Sequence, residues 1–202
     1  INDPFEGGTH TCDVALIRPL FKGVKLRAFA IAVAHWSEVG GSVAGSIAPN
    51  ATEIYQEGIR FPGIRICRND ELMPDVVDII RENVRLPTMC LGDLNAELAA
   101  VRIAEVRFQE IEEKYDFETV ERSFDYILST SEQLSREAVA AMPDGVYRAE
   151  DLIDGDGISE EKIPVCVEVR IDGERMTFDF TGTSGQRPGP INCAYGALHS
   201  AV

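Results

Sequence analysis

The chain has 202 residues, 45% hydrophobic and 26% charged, with 19 Lys and Arg against 34 Asp and Glu for a net charge of −15. That composition suits a globular protein and excludes a disordered tail. The acidic balance argues against a nucleic-acid or anionic-membrane partner, either of which wants a basic face. The longest wholly apolar run, the seven residues from Ala28 to Ala34, is far shorter than the ~20 that span a bilayer.

Five cysteines are widely scattered, with no CxxC pair. They fit a reducing, cytoplasmic setting, with neither a disulfide framework nor a Cys-rich zinc module. No signal-peptide pattern is visible. The opening Ile1-Asn2-Asp3-Pro4 without Met, and the close at Val202 without a terminating signal, lead us to expect a piece of a longer polypeptide.

In chain order, residues 1–66 read as loops and strands. Asn2-Asp3-Pro4 and Gly7-Gly8 are turn chemistry. Asp13 to Phe21 and Val24 to His35 are β-leaning runs, with Lys22-Gly23 as a two-residue turn between them. Residues 74–142 read as helices. Pro74 suits a first helical position, ahead of Val76, Val77, Ile80 and Val84. Asp93 is expected to cap a second helix. Its apolar stripe is Leu94, Leu98, Val101, Ala104, Phe108, Ile111 and Tyr115, the pattern of a core-facing helix. Phe117, Val120, Phe124 and Ile127 predict another. Thr130 with Gln133 has capping-box spacing and is expected to open one more, stopped by Pro143-Asp144-Gly145.

Residues 146–182 return to strands. Val165, Val167, Val169 and Ile171 alternate with polar neighbours, as do Met176, Phe178 and Phe180, on either side of Asp172-Gly173, which is a hairpin signal. Strands, then helices, then strands make an α+β fold: an N-terminal β-hairpin region, a central helical segment and a C-terminal β-hairpin.

Only three histidines are present. With Lys22-Gly23 as the turn, Phe21 pairs with Val24, Leu16 with Phe29, Val14 with Ile31, and His10 falls opposite His35. Directly opposed Cβ atoms lie roughly 5 Å apart, close enough for two imidazoles to share one ion. A bulge between the pair and the turn would shift this register. Asp13 joins them only if residues 9–13 are irregular, since in a regular strand it points to the other face. Two histidines and a carboxylate suit zinc, manganese or iron and leave positions open for water or substrate; the bland alternative is ordinary hydrogen bonding.

Cys12 reads as a buried thiol. Glu38 is either a ligand, an acid/base group or a solvated loop carboxylate, and Glu53 and Glu57 share a helical turn. The glycine-rich stretch 41–46 lacks the Gly-Lys-Ser/Thr ending of a phosphate loop, and no serine sits in a nucleophile elbow. Asp151, Asp154 and Asp156 lack EF-hand spacing and read as a solvated acidic loop. Thr181 to Gln186 reads as a polar turn.

Asn2-Asp3-Pro4-Phe5-Glu6-Gly7-Gly8-Thr9-His10 with Asp13 resembles the NDP-x-x-GGTH-x-x-D stretch of hydantoinase B-type proteins. The resemblance continues through Ala34-His35 with Val39-Gly40-Gly41, and through Tyr55-Gln56-Glu57-Gly58, Asn83-Val84-Arg85 and Gly92-Asp93-Leu94. It runs on into Pro143-Asp144-Gly145, Asp179 to Ser184 and Gly189-Pro190-Ile191-Asn192. Members include B-type subunits of ATP-dependent hydantoinases, the matching half of 5-oxoprolinase, and subunits of acetone and acetophenone carboxylases. Where the family often reads His-His-Ala-Asp, this chain has His35-Trp36-Ser37-Glu38.

The resemblance implies that residues 1–202 are the middle of one larger B-type domain. Its parts would be metal-site loops and strands over 1–66, helices over 74–142 and strands over 146–182. It implies a divalent metal held by His10, Asp13 and His35, with a further carboxylate upstream of this chain. It also implies an A-type partner subunit or domain that uses ATP, and a small cyclic amide or ketone as substrate. Glu38 or Glu57 is then expected to move a proton as catalytic residue. The expected activity is ATP-dependent cyclic-amide hydrolysis. The alternatives are a ketone carboxylase subunit and a docking subunit without chemistry.

Overall fold

The structure is a computed structural model that describes all 202 residues. It is α+β, with four α-helices and seven strands in three antiparallel sheets. Two compact units divide it: residues 1–107 with 189–202, and residues 108–188. No helix is long and apolar enough to cross a membrane.

In the first unit, a 3-10 turn over Pro4–Glu6 follows Asp3, whose carboxylate caps the Phe5 N–H at 3.0 Å. The first hairpin joins β1 (Asp13–Lys22) to β2 (Lys25–His35). Its turn is Gly23-Val24, not Lys22-Gly23, because Lys22 pairs with Lys25. Gly23 takes φ +63, the left-handed value that a tight hairpin turn favours at its first central position.

A register shift at Leu20/Phe21 then moves every later pair, so Asp13, not His10, lies opposite His35. Val14 now pairs with Ala34 and Leu16 with Ala32. Phe29 and Ile31, expected beside Val14 and Leu16, oppose Pro19 and Ile17 and are 57% and 60% exposed. The alternating alanines of β2 thus take the inward face.

A short ladder of β3 (Cys67–Arg68) and β4 (Glu71–Leu72) precedes α1 (Pro74–Asn83), where Pro74 stands at the first turn as expected. Helix α2 spans Pro87–Tyr115, so Asp93 lies inside it and caps nothing. Proline at the first helical position costs no hydrogen bond and presets φ. The residues ahead of it are held by Glu38, from far away in the chain. Glu38 is 1% exposed and its carboxylate accepts the Leu86 N–H at 2.7 Å, the Arg85 N–H, and the Arg85 guanidinium at 3.1 Å. That guanidinium also donates to the Gly41 and Val43 carbonyls at 2.8 and 3.0 Å.

The loop after β2 is therefore fastened to the start of α2, and the fit is close. Gly40 has φ +86, and a Cβ there would clash with the Asn83 carbonyl oxygen. The core beneath comprises Cys12, Val14, Trp36 and Val39 with Cys90, Leu94 and Leu98 of α2. Buried among them, Glu97 accepts the Trp36 indole N–H at 3.0 Å. Burial pushes the Glu97 carboxyl up to about 6, against the pull of that hydrogen bond. The chain closes with α4 (Tyr195–Ala201).

In the second unit, α3 runs unbroken over Phe117–Ala140, so Thr130 and Gln133 sit mid-helix and open nothing. The cap is Asp116, whose side chain accepts the Thr119 N–H at 2.9 Å. Once a helix continues through Thr130, its N–H groups have intrahelical partners and a capping box has nothing to satisfy. Phe108 stacks on Phe124 at 6.4 Å between ring centroids.

Strands β5 (Gly145–Ile153), β6 (Ile163–Asp172) and β7 (Arg175–Asp179) form a three-stranded sheet in that order, so the predicted C-terminal hairpin gains a third strand. Its turn is Gly173-Glu174, with Gly173 at φ +57. Asp156 is 1% exposed and accepts the Ile158 and Ser159 N–H groups at 2.9 and 2.7 Å. That loop carboxylate is structural, not solvated. All five cysteines are free thiols.

Gly40→Ala forces a side chain into left-handed backbone and against a carbonyl, so denaturant unfolding of the full-length protein should show a loss of about 1–3 kcal/mol or more. Glu38→Gln sets an amide donor against the 85–86 N–H groups and should cost about 1–3 kcal/mol by the same measurement. Folded protein keeps the Glu97 proton up to about pH 6, while the unfolded chain releases it near 4.5. Glu97 therefore contributes most below pH 4.5 and loses that contribution as pH rises through about 6. The Glu97→Gln protein should gain on wild type by up to about 2 kcal/mol across that window; a difference independent of pH would refute this.

Candidate metal centre

Residues 9–12 form an irregular turn ahead of β1, with the Asp13 N–H on the His10 carbonyl at 3.0 Å. This turn brings His10 and Asp13 onto the same side. Asn2, fully buried, supports it: its amide nitrogen donates to the Thr11 and Ile59 carbonyls at 2.5 and 2.9 Å, and its oxygen accepts the Phe61 N–H at 2.6 Å. His35 arrives from the far end of β2, opposite Asp13. The chain then turns inward, with the Trp36 N–H on the Cys12 carbonyl at 2.9 Å.

The result is a cluster of His10, Asp13 and His35 with one donor atom from each lying within 4.8 Å of the others. Asp13 is at its centre. One carboxylate oxygen is 2.7 Å from His10 Nδ1, and the other is 2.6 Å from His35 Nδ1. The rings stand edge-to-face, 6.1 Å between centroids. The two imidazoles are 76% and 52% exposed and the aspartate 20%, so the cluster is open on one side.

Thr9, which carries no role in the sequence reading, donates its hydroxyl to Asp13, as does the His10 N–H at 3.2 Å. Burial opposes ionisation of Asp13, but the hydrogen bonds from Thr9, His35 and His10 together hold its carboxyl far below the usual range. The group is therefore a carboxylate at any physiological pH. Two imidazoles and one carboxylate in reach of a single point are a donor set suited to zinc, manganese or iron. The only sign of Thr9 in the sequence is its place four residues before Asp13, at the foot of a glycine turn.

The other candidates are placed differently. Glu57 ends the 3-10 turn over Ile54–Gln56, begun at Glu53. Burial pushes its carboxyl up, while nearby His10 draws it back down. Glu38 is not part of the cluster. Its carboxylate is buried on Arg85 and Leu86, which gives it an anchoring task. Cys12 is 1% exposed, and burial raises its thiol pKa, as a structural thiol requires.

The comparisons with known proteins agree with one another. The chain is 36% identical over 197 residues to the B-type subunit of a putative D-/L-hydantoinase from a Pseudomonas species, a match that covers 95% of this chain and 33% of the relative. It is 30% identical over 193 residues to the acetophenone carboxylase delta subunit of Aromatoleum aromaticum, covering 95% of this chain and 28% of the relative. Among solved structures, the ATP-dependent caprolactamase from Pseudomonas jessenii superposes with a TM-score of 0.90 at 26% identity, covering 98% of this chain and 34% of that one. The chain thus spans about a third of the length of these relatives. The profile of one family matches it from residue 1 to residue 202. This chain belongs to the hydantoinase B/oxoprolinase family.

Proposed function

We propose that His10, Asp13 and His35 hold a divalent metal ion in the B-type part of an ATP-dependent cyclic-amide hydrolase. The carrying observation is that donor atoms from two segments, far apart in sequence, meet within 4.8 Å. A hairpin core does not require this: three polar side chains at an open strand end are free to point into water. Zinc, manganese or iron bound there supplies Lewis acidity toward a carbonyl or phosphoryl oxygen and makes water more acidic.

The protein's own groups then have defined tasks. Asp13 brings the negative charge that balances the cation, and Thr9 orients it, as hydrogen-bonded neighbours of ligating carboxylates do. Glu57, with its carboxyl raised by burial and His10 beside it, is suited to take a proton from an attacking water and return it to the leaving nitrogen. ATP is assigned to an A-type partner subunit or domain. The relatives' names, as subunits and as an ATP-dependent enzyme, support that division.

A second reading is a ketone carboxylase subunit, favoured by the similarity to the acetophenone carboxylase delta subunit. ATP turnover of the full complex with hydantoin, 5-oxoproline or caprolactam, against acetone or acetophenone with bicarbonate, separates the two. Turnover with neither class would leave only a docking role.

His10→Ala in the full-length protein should abolish stoichiometric metal and lower turnover by more than about a hundredfold, with the fold intact by circular dichroism. Metal retained at wild-type stoichiometry in that variant would overturn the assignment.

A further inference from the structure

Glu97 of α2 is a buried carboxylate, 4% exposed, among Leu94, Leu98 and Val101. One of its oxygens accepts the Trp36 indole N–H at 3.0 Å; the other, Oε1, meets no donor at hydrogen-bond distance, although the Ile1 ammonium and the Ala34 backbone also favour the charge of the carboxylate. A half-satisfied carboxylate in a core is worse for stability than an apolar side chain of similar size. Stability alone therefore does not account for Glu97. What it supplies is a directional contact to one ring.

That ring belongs to the residue after His35. Trp36 is 1% exposed, so its side chain is fixed on every side. Its backbone N–H is bonded to the carbonyl of Cys12, the residue before Asp13. Trp36 thus ties the chain at one proposed ligand to the chain at another, and its indole is the handle by which α2 sets that tie. We propose that Glu97 is a positioning residue for the metal centre, acting through the Trp36 indole on the strand-end junction that aligns His35 with Asp13. This rests on the metal reading given above and adds to it a dependence on a group in the core.

The test is zinc affinity of the full-length protein, by competition with a chromophoric chelator, alongside thermal unfolding. Glu97→Leu removes the acceptor and should weaken zinc binding about tenfold or more, within the range for outer-shell partners. Glu97→Gln keeps a carbonyl acceptor for the indole and should bind within about threefold of wild type, since the bond that matters is retained. A purely packing role would not give this rescue.

Trp36→Phe keeps an aromatic in the core without the N–H and should match Glu97→Leu. The double variant Trp36→Phe/Glu97→Leu should be no worse than either single one, as expected of two partners in one interaction. If Glu97→Leu does not fold, Trp36→Phe alone decides. Folded variants binding zinc as tightly as wild type, or Glu97→Gln failing as badly as Glu97→Leu, would overturn the positioning role. Wild type without zinc, or His10→Ala retaining it, would overturn the metal reading itself. Wild-type binding that is lost in His10→Ala and unchanged in Glu97→Leu would overturn only the role of Glu97.

Discussion

One backbone hydrogen bond, from the Trp36 N–H to the Cys12 carbonyl at 2.9 Å, closes the open end of the first hairpin. Everything in the candidate centre hangs from it. On one side the chain runs back through Asp13 and His10 into the glycine turn; on the other it runs through His35 into the core. Strand pairing alone would leave this end frayed, because terminal residues of a two-stranded ladder have few neighbours to hold them. Here the large Trp36 ring, buried on α2, holds the junction shut. Three polar groups can then stand in open surroundings and still keep a common point of reach.

Two buried carboxylates make the loop after β2 possible, and they do so in opposite ways. Glu38 is saturated: two backbone N–H groups and a guanidinium surround it, the arrangement that offsets the desolvation of a charge. It fastens the 38–46 loop to the start of α2. Glu97 is under-satisfied, with one oxygen short of a donor at hydrogen-bond distance, and burial raises its carboxyl. A saturated carboxylate serves as an anchor. An under-satisfied one signals a geometric demand made elsewhere, here at the ring beside a proposed ligand.

The family connects this chain to proteins named for cyclic-amide hydrolysis and for ketone carboxylation. Both chemistries need an electrophilic carbon and a stabilised oxyanion, and a cation held by neutral imidazoles and one carboxylate suits either. The proposed centre therefore speaks to the shared step. This chain is about a third of the length of such proteins.

Local signals along the chain suffice for the α+β class, the helical middle, both glycine-centred hairpins and the identity of the three clustered residues. Those signals are periodicity, turn chemistry and a run of motif residues. They also place Pro74 at a helix start, since a proline's fixed φ is a property of one residue. How His10, Asp13 and His35 meet depends instead on packing. The turn lies one residue later than the Gly-based reading places it, and a bulge shifts the pairs beyond, so Asp13 replaces His10 opposite His35. Pairing in a twisted two-stranded ribbon depends on contacts along its whole length, and a one-residue irregularity has little local signature. The same holds for Glu38, Glu97 and Asp156. Each is buried in the fold with nothing in its local sequence to mark it so, because the groups that bond it come from distant segments, or from a loop whose closure no pattern of apolar residues records.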